Sequence, residues 1–224
     1  GGRGGLPDDI GDLFDSAYAA GARIHNNSWG STLEAENSTY TINATEVDEY
    51  VEAHRDMLIV LSAGNAGTSL REIKNAAKGF VEWLSITSPA TCKNALTVGA
   101  SRSSRTLGGF SKKTYSEVWK TEFPDPPVAK AMVSGDPESM AAFSSRGPID
   151  DHRIKPDVVA PGTDILSARS KNAPTNNYWG STMRMSIMPI WVERVWQLPL
   201  YQDMPLWCGS ILRRSGCMSQ AQHW

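Results

Sequence analysis

The sequence predicts an α/β fold on a doubly wound, mostly parallel sheet, and three observations carry that reading. Amphipathic helical stretches alternate with short apolar ones, in the rhythm helix, strand, helix, strand. The strand stretch Met57–Ala63, "MLIVLSA", is apolar throughout and has no face suited to water, so it asks for cover on both sides. Gly, Asn and Pro stand at the ends of these stretches, where turns need them.

The elements follow in order. "DDIGDLFDSAYAAG" spaces Ile10, Leu13, Phe14, Ala17 and Tyr18 as one helical face over 8–20, with Asp8 as N-cap and Gly21 as terminator. "ARIHNNS" reads as a short strand. "NATEVDEYVEAH" reads as a second helix over 44–55, with Asn43 and Glu46 at capping-box separation and Val47, Tyr50, Val51 and His54 on one face. "MLIVLSA" is the next strand, and further strands are expected at Ala95–Ser101, Asp157–Ala160 and Asp164–Ala168. The Ser-, Lys-, Pro- and Gly-rich stretch 101–137 reads as a surface excursion. There are no internal repeats.

With 224 residues, 40% of them hydrophobic, the chain can bury a substantial core. The net charge of −2, with both signs interspersed, gives no electrostatic footprint for nucleic acid or an anionic membrane. The longest apolar run, Met57–Ala63, is far short of the roughly 20 residues of a membrane span. The opening "GGRGGLPDD" carries no initiator Met, basic n-region or apolar h-region and reads as a fragment end, so no signal peptide is recognisable in it. Three cysteines, Cys92, Cys208 and Cys217, give no disulfide framework, and Cys92 reads as a small buried apolar residue. Asn26, Asn37 and Asn43 fit the N-glycosylation pattern, which chance alone supplies readily.

In open α/β sheets ligands bind outside the carboxyl ends of the strands. The loops there read "SWG" (Ser28–Gly30) and "GNAG" (Gly64–Gly67). A Gly-Asn-x-Gly loop directly after a buried strand can aim one amide donor from a rigid base, although an isolated "GNAG" is also an ordinary turn. The context for it is a set of ordered motifs: "AGARIHNNSWG", "LIVLSAGNAG", "SPATCKNALTVGA" and "FSSRGPIDDHRIKPDVVAPGTDILSARS". Over Leu6–Thr182 they make the chain resemble the subtilisin-like serine proteases, the subtilases of peptidase family S8.

The resemblance implies peptide-bond hydrolysis through an acyl-enzyme, in a secreted, extracellular protein. Asn65 would be the side-chain donor of the oxyanion hole, Ser28, Trp29 and Gly30 the edge that pairs with substrate backbone, and Ser62, Ala63 and Gly64 a wall of the specificity pocket. The amide of Asn65 would then stabilise charge that appears only in the tetrahedral intermediate. In subtilisin, a member of that family, losing this donor costs about 2.7–4 kcal/mol, a measured magnitude for that relative. The expected partner is a protein or peptide substrate, and the expected state is a monomer. Calcium sites are common in the family, but no His/Cys/Asp/Glu cluster of ligand spacing marks one here, and no cofactor is identifiable.

The sequence departs from the family at the triad, which comes in the order Asp, His, Ser. Neither the strand ending Asp-Thr/Ser-Gly nor His-Gly-Thr-His is in the chain, and both are expected to lie upstream of Gly1. His25, His54, His152 and His223 each lack the motif's neighbours, and His25, His54 and His152 read as structural. The nucleophile's Gly-Thr-Ser-Met-Ala-Thr-Pro should follow "ILSARS", where the chain offers "GSTMRMSIMP". Ser181 in "GSTM" has the right letters in the wrong order and reads as a decoy.

From Met183 the composition changes: 183–224 holds four of the eight Trp, five of the eight Met, no Lys and two acids. Read one base upstream, its possible codons force Ala at Met188–Pro189, Gly at Trp191–Val192 and Ala at Trp196–Gln197. Allowed choices complete Gly-Gly-Thr-Ser-Met-Ala-Thr-Pro, with the hidden Ser codon straddling Arg194 and Val195. The expectation is therefore a catalytic-domain segment over 1–182 followed by an out-of-frame tail, 183–224. Two rival readings are a catalytically dead peptide-binding module using the Ser28–Gly30 edge, and a small-ligand α/β binder. The second lacks its Gly-x-Gly-x-x-Gly fingerprint, since "GNAGTS" does not fit it.

Overall fold

The computed structural model describes residues 6–68, 79–166 and 190–191. Its centre is a four-stranded parallel sheet of β1 (Ile24–Asn27), β2 (Leu58–Ser62), β3 (Leu96–Ser101) and β4 (Val158–Pro161), side by side in chain order. Ile24 pairs with Leu58, Val60 with Leu96 and Val98 with Val158, so all four strands point their carboxyl ends the same way. Four of the five expected strand stretches form this sheet, and the fold is α/β.

Two helices, α1 (Gly11–Ala19) and α2 (Ile42–Ala53), supply the core with the sheet. Ile10, Phe14, Val47 and Tyr50 close over Met57, Ile59 and Leu61, all buried. The strand period of two explains which β2 residues go there. Ile59 and Leu61 enter the core, Val60 and Ser62 do not, and the carboxyl half of the strand, Val60–Ser62, borders a cleft together with Val98, Gly99 and Ala100 of β3.

The helix starts differ from the expected caps. Ile10, not Asp8, occupies the N-cap position of α1, and Asp9 Oδ1 accepts the Gly11 N–H at 2.8 Å. α2 begins after Thr41, so Asn43 lies inside the helix, and Glu46 Oε2 accepts the Ile10 N–H (3.2 Å) instead of closing a capping box. Tertiary contact between the two helices thus overrides the local motif. His54 forms the C-cap of α2 and stacks on Tyr50, with ring centroids 4.2 Å apart.

The expectation of a surface excursion over 101–137 is corrected by a second core. Tyr115, Trp119, Phe123, Val133, Ala141, Ala142 and Phe143 are buried together around the short helix α3 (Tyr115–Val118). α3 has a capping box, in which the Glu117 carboxylate accepts the Thr114 N–H at 2.6 Å. Polar composition around these aromatics concealed a hydrophobic cluster. The stretch 164–168 also differs: β5 is Ile165–Leu166, and it pairs antiparallel with β6 (Ile190–Trp191) outside the main sheet. The Ser181 decoy lies outside the described residues, as does all of 183–224 except β6. No described helix is long and apolar enough to cross a membrane.

Candidate active site

The cleft opens at the carboxyl ends of the strands, where parallel sheets place ligands. Asn26 and Ser28 come from β1 and its exit, Ser62, Ala63, Gly64 and Asn65 from β2 and its exit, Gly99 and Ala100 from β3, Phe143 from the second core and Ser144 from the residue after it. Among the described residues none of the lining side chains is charged, so what these residues offer a ligand is dipoles and not a formal charge.

The Gly64–Gly67 loop is fastened on both flanks. On the strand side, Ala63 N–H donates to Val98 O (2.9 Å), and Ala63 O accepts from both the backbone N–H of Thr87 (3.0 Å) and its hydroxyl (3.2 Å). On the far side, Ser145 N–H donates to Gly64 O (3.0 Å), Ala66 N–H to Ser145 Oγ (2.9 Å) and Gly67 N–H to Phe143 O (3.0 Å).

Both glycines are required by this packing. Gly64 has φ +105°, and a Cβ there would come within 2.5 Å of Thr87 Oγ1. A Cβ on Gly67 would lie 2.4 Å from Ser144 O and 2.6 Å from Ala142 O. The turn chemistry of "GNAG" is real, and the loop it makes is rigid at both ends.

Between these fixed points stands Asn65. Its Nδ2 is shielded from solvent and has no hydrogen-bond partner among the described residues, and neither has Ser62 Oγ in the same cleft. Buried donors of this kind are costly to leave unmatched, and native structures hold few. Asn65 therefore lines the cleft from a braced loop, with an amide donor that is shut off from solvent and unmatched among the described residues.

Of the residues singled out in the sequence, the structure brings Ser28, Ser62, Ala63, Gly64 and Asn65 around one cleft. Trp29 and Gly30 do not line it. The Trp29 indole packs against the main core, and its Nε1–H donates to Asn27 Oδ1 (3.2 Å). His25 is buried against Phe14, with centroids 5.0 Å apart, and desolvation lowers its pKa; His54 lies between Tyr18 and Tyr50. His25, His54 and His152 are all absent from the cleft lining.

Thr87, Ser144 and Ser145 brace the loop and the end of β3; Ser144 and Ser145 were within a quoted motif and Thr87 stood just before one, but none carried a role in the sequence. Ser144 Oγ accepts the Ala100 N–H at 2.9 Å. Nothing in their spacing identifies them, because their partners are backbone groups distant in sequence. Among the described residues no group of three or more His, Cys, Asp or Glu side chains is placed to hold a metal ion.

Comparison with known proteins bears on this geometry. A sequence model of the subtilase family, peptidase S8, matches residues 1–186. The serine protease/ABC transporter B family protein tagD of Dictyostelium discoideum is 29% identical over 218 residues, covering 78% of this chain and 11% of that protein. The corresponding tagB protein is 28% identical over 215 residues, covering 78% of this chain and 10% of its own length. The serine protease AprX of Bacillus subtilis is 49% identical over 41 residues, 18% of this chain and 9% of that protein. The chain thus spans about a tenth of the length of these curated relatives.

Proposed function

The chain belongs to the subtilase family, a family of serine-type proteases, and on that premise we propose that its cleft is the oxyanion side of an endopeptidase site. Asn65 is the side-chain donor, Ser62–Gly64 form a wall of the specificity pocket, and Ser28 at the cleft, continued by the backbone of Trp29 and Gly30 beside its lining, offers an edge to an extended peptide. The observation that carries this is the Asn65 amide nitrogen, buried, unpartnered among the described residues and held at the end of β2 over the cleft. Acyl transfer puts negative charge on the former carbonyl oxygen only as the tetrahedral intermediate forms. A fixed neutral donor acts on that state more than on the substrate.

The polypeptide as written is proposed to be inactive. None of the family's three triad motifs is in its 224 residues, and the second oxyanion donor is normally the nucleophile's own backbone N–H. Prolines at 189, 199 and 205 oppose a nucleophile helix in the tail, at about 3 kcal/mol each in a helix interior. The family match ends at 186, beside the change of composition at 183, which supports an out-of-frame tail. A catalytically dead peptide-binding module is the second reading, favoured by the absence of every described histidine from the cleft. A secreted, monomeric protein is the state proposed with either.

Burst titration with an acylating peptide substrate, together with fluorescence-polarisation binding of a labelled extended peptide, tests both. No burst is expected. A stoichiometric burst overturns inactivity, binding without cleavage establishes the module, and absence of binding removes the peptide cleft. Resequencing across codon 183 should find the shifted frame, and an unbroken frame in an expressed transcript makes the tail real.

A further inference from the structure

The segment 140–145 is where the second core, the end of β3 and the Asn65 loop meet. On one side it belongs to the aromatic cluster. Tyr115 is 1% exposed, and its ring lies 5.0 Å from Phe123 and 5.9 Å from Trp119. Trp119 in turn meets Phe143 edge to face at 5.8 Å. The Tyr115 hydroxyl oxygen accepts the Ala142 N–H at 2.9 Å inside this cluster.

On the other side the same segment holds the loop. Phe143 O and both the N–H and Oγ of Ser145 take up Gly67, Gly64 and Ala66, and the Gly67 backbone lies so close to Ala142 and Ser144 that no side chain fits between them. Phe143 belongs to the aromatic cluster and also lines the cleft. A shift of the aromatic cluster has no slack through which to be absorbed before it reaches the loop.

We infer that Tyr115 is a positioning residue for the Asn65 loop, acting through Ala142, Phe143 and Ser145. The inference rests on the reading of Asn65 as the cleft's donor only for its purpose; the mechanical link stands on the contacts themselves. On that reading the stretch 101–143 orients the donor, although it contributes to the cleft lining only through Phe143.

The test uses the whole chain. Amide hydrogen exchange and the side-chain NH₂ resonances of Asn65 are compared between the wild type, Tyr115→Phe and Ser145→Ala. Tyr115→Phe keeps the ring and removes one acceptor, so exchange at Ala142, Ala66 and Gly67 should rise about three- to tenfold, as for loss of one hydrogen bond of ordinary net strength. The Asn65 NH₂ pair should shift or broaden, while Val60 and Leu61 in β2 stay unchanged. Ser145→Ala removes the last link and should reproduce the effect at Ala66 with Ala142 unaffected.

Faster exchange confined to Ala142 overturns the inference, as does a uniform rise that includes β2. If exchange couples as expected but no peptide binds the cleft, the link survives and the catalytic reading of Asn65 falls.

Discussion

The two hydrophobic cores can be set side by side. In the first, α1, α2 and β2 supply Phe14, Val47, Ile59 and Leu61 at regular helical and strand spacings, and the sheet ladder satisfies the backbone. In the second, the aromatics Tyr115, Trp119, Phe123 and Phe143 are held by a helix of four residues and by irregular chain. Here the backbone is satisfied piecemeal, with Tyr115 N–H on Ala131 O (3.0 Å), Val133 N–H on Lys113 O (2.9 Å) and Ala142 N–H on the Tyr115 hydroxyl. A core of repeating elements divides its load among many equivalent contacts, whereas one of irregular chain depends on a few large side chains.

The largest expected effect tests that difference. Phe123 is fully buried, and Phe123→Ala should cost about 3–5 kcal/mol. The sharper expectation is where the loss is felt. Hydrogen exchange should show amides of 115–133 losing protection while β1–β4 keep theirs, as for a separately opening unit. Ile59→Ala, about 2–5 kcal/mol, should lower protection in the whole sheet. Equal loss of protection in both regions after Phe123→Ala would mean that the two cores are one cooperative unit.

A buried carboxylate fastens irregular chain in each region, and the second expectation follows from that parallel. Asp48 of α2 accepts the N–H groups of Lys93 (2.8 Å) and Asn94 (2.6 Å) and the Tyr40 hydroxyl (2.7 Å), fixing the approach to β3. Asp164 accepts the Phe110 N–H (2.7 Å) and the Ser134 hydroxyl (2.6 Å), tying the second core to the turn after β4. Asp164→Ala removes the acceptor of the Phe110 N–H and leaves the Ser134 hydroxyl only Thr163 Oγ1, 2.6 Å away, and should cost about 1–3 kcal/mol, measured by urea denaturation. A loss under about 0.5 kcal/mol would mean that water replaces the carboxylate and that the tie is dispensable.

The same comparison explains what was legible in the sequence. The four strands and two helices could be read because burial repeats along them: Ile59 and Leu61 alternate, and Phe14 and Tyr18 recur at helical spacing. The place of Asn65, in a turn just beyond β2, was legible because its loop has turn residues on both sides and follows an apolar strand. The second core carried a signal too, Tyr115, Trp119 and Phe123 at intervals of four, but the helix ends at Val118 and Ser, Lys and Pro surround it. The caps at Asp8 and Asn43 were misread because Ile10 and Glu46 meet through a tertiary contact that no local pattern encodes. Ser144, Ser145 and Thr87 were illegible for a related reason: each bonds backbone far along the chain, and a serine in a loop gives no hint of that.

The smallest expected effect separates the cores by pH. Cys92 is fully buried in the first core, and desolvation first, then the charge of Asp48, raises its thiol pKa from about 9 to about 12. The neutral thiol is therefore favoured in the folded state. Below the unfolded pKa that preference is fully present. As pH rises through about 9 towards 12, the unfolded chain releases this proton while the folded chain retains it, and stability falls by up to about 1.4 kcal/mol per pH unit. Tyr50, pushed up to about 12 by its burial, adds the same sign above its ordinary value of 10. Between pH 9 and 10 the thiol therefore acts first. Urea midpoints over that interval should decline in the wild type and decline less in Cys92→Ala, whose own packing loss is independent of pH. A Cys92→Ala slope equal to the wild type would show that the thiol does not titrate with unfolding. In that case the alkaline limit of the sheet core would belong to its tyrosines, as it already must in the second core, where burial likewise raises Tyr115 and no cysteine is present.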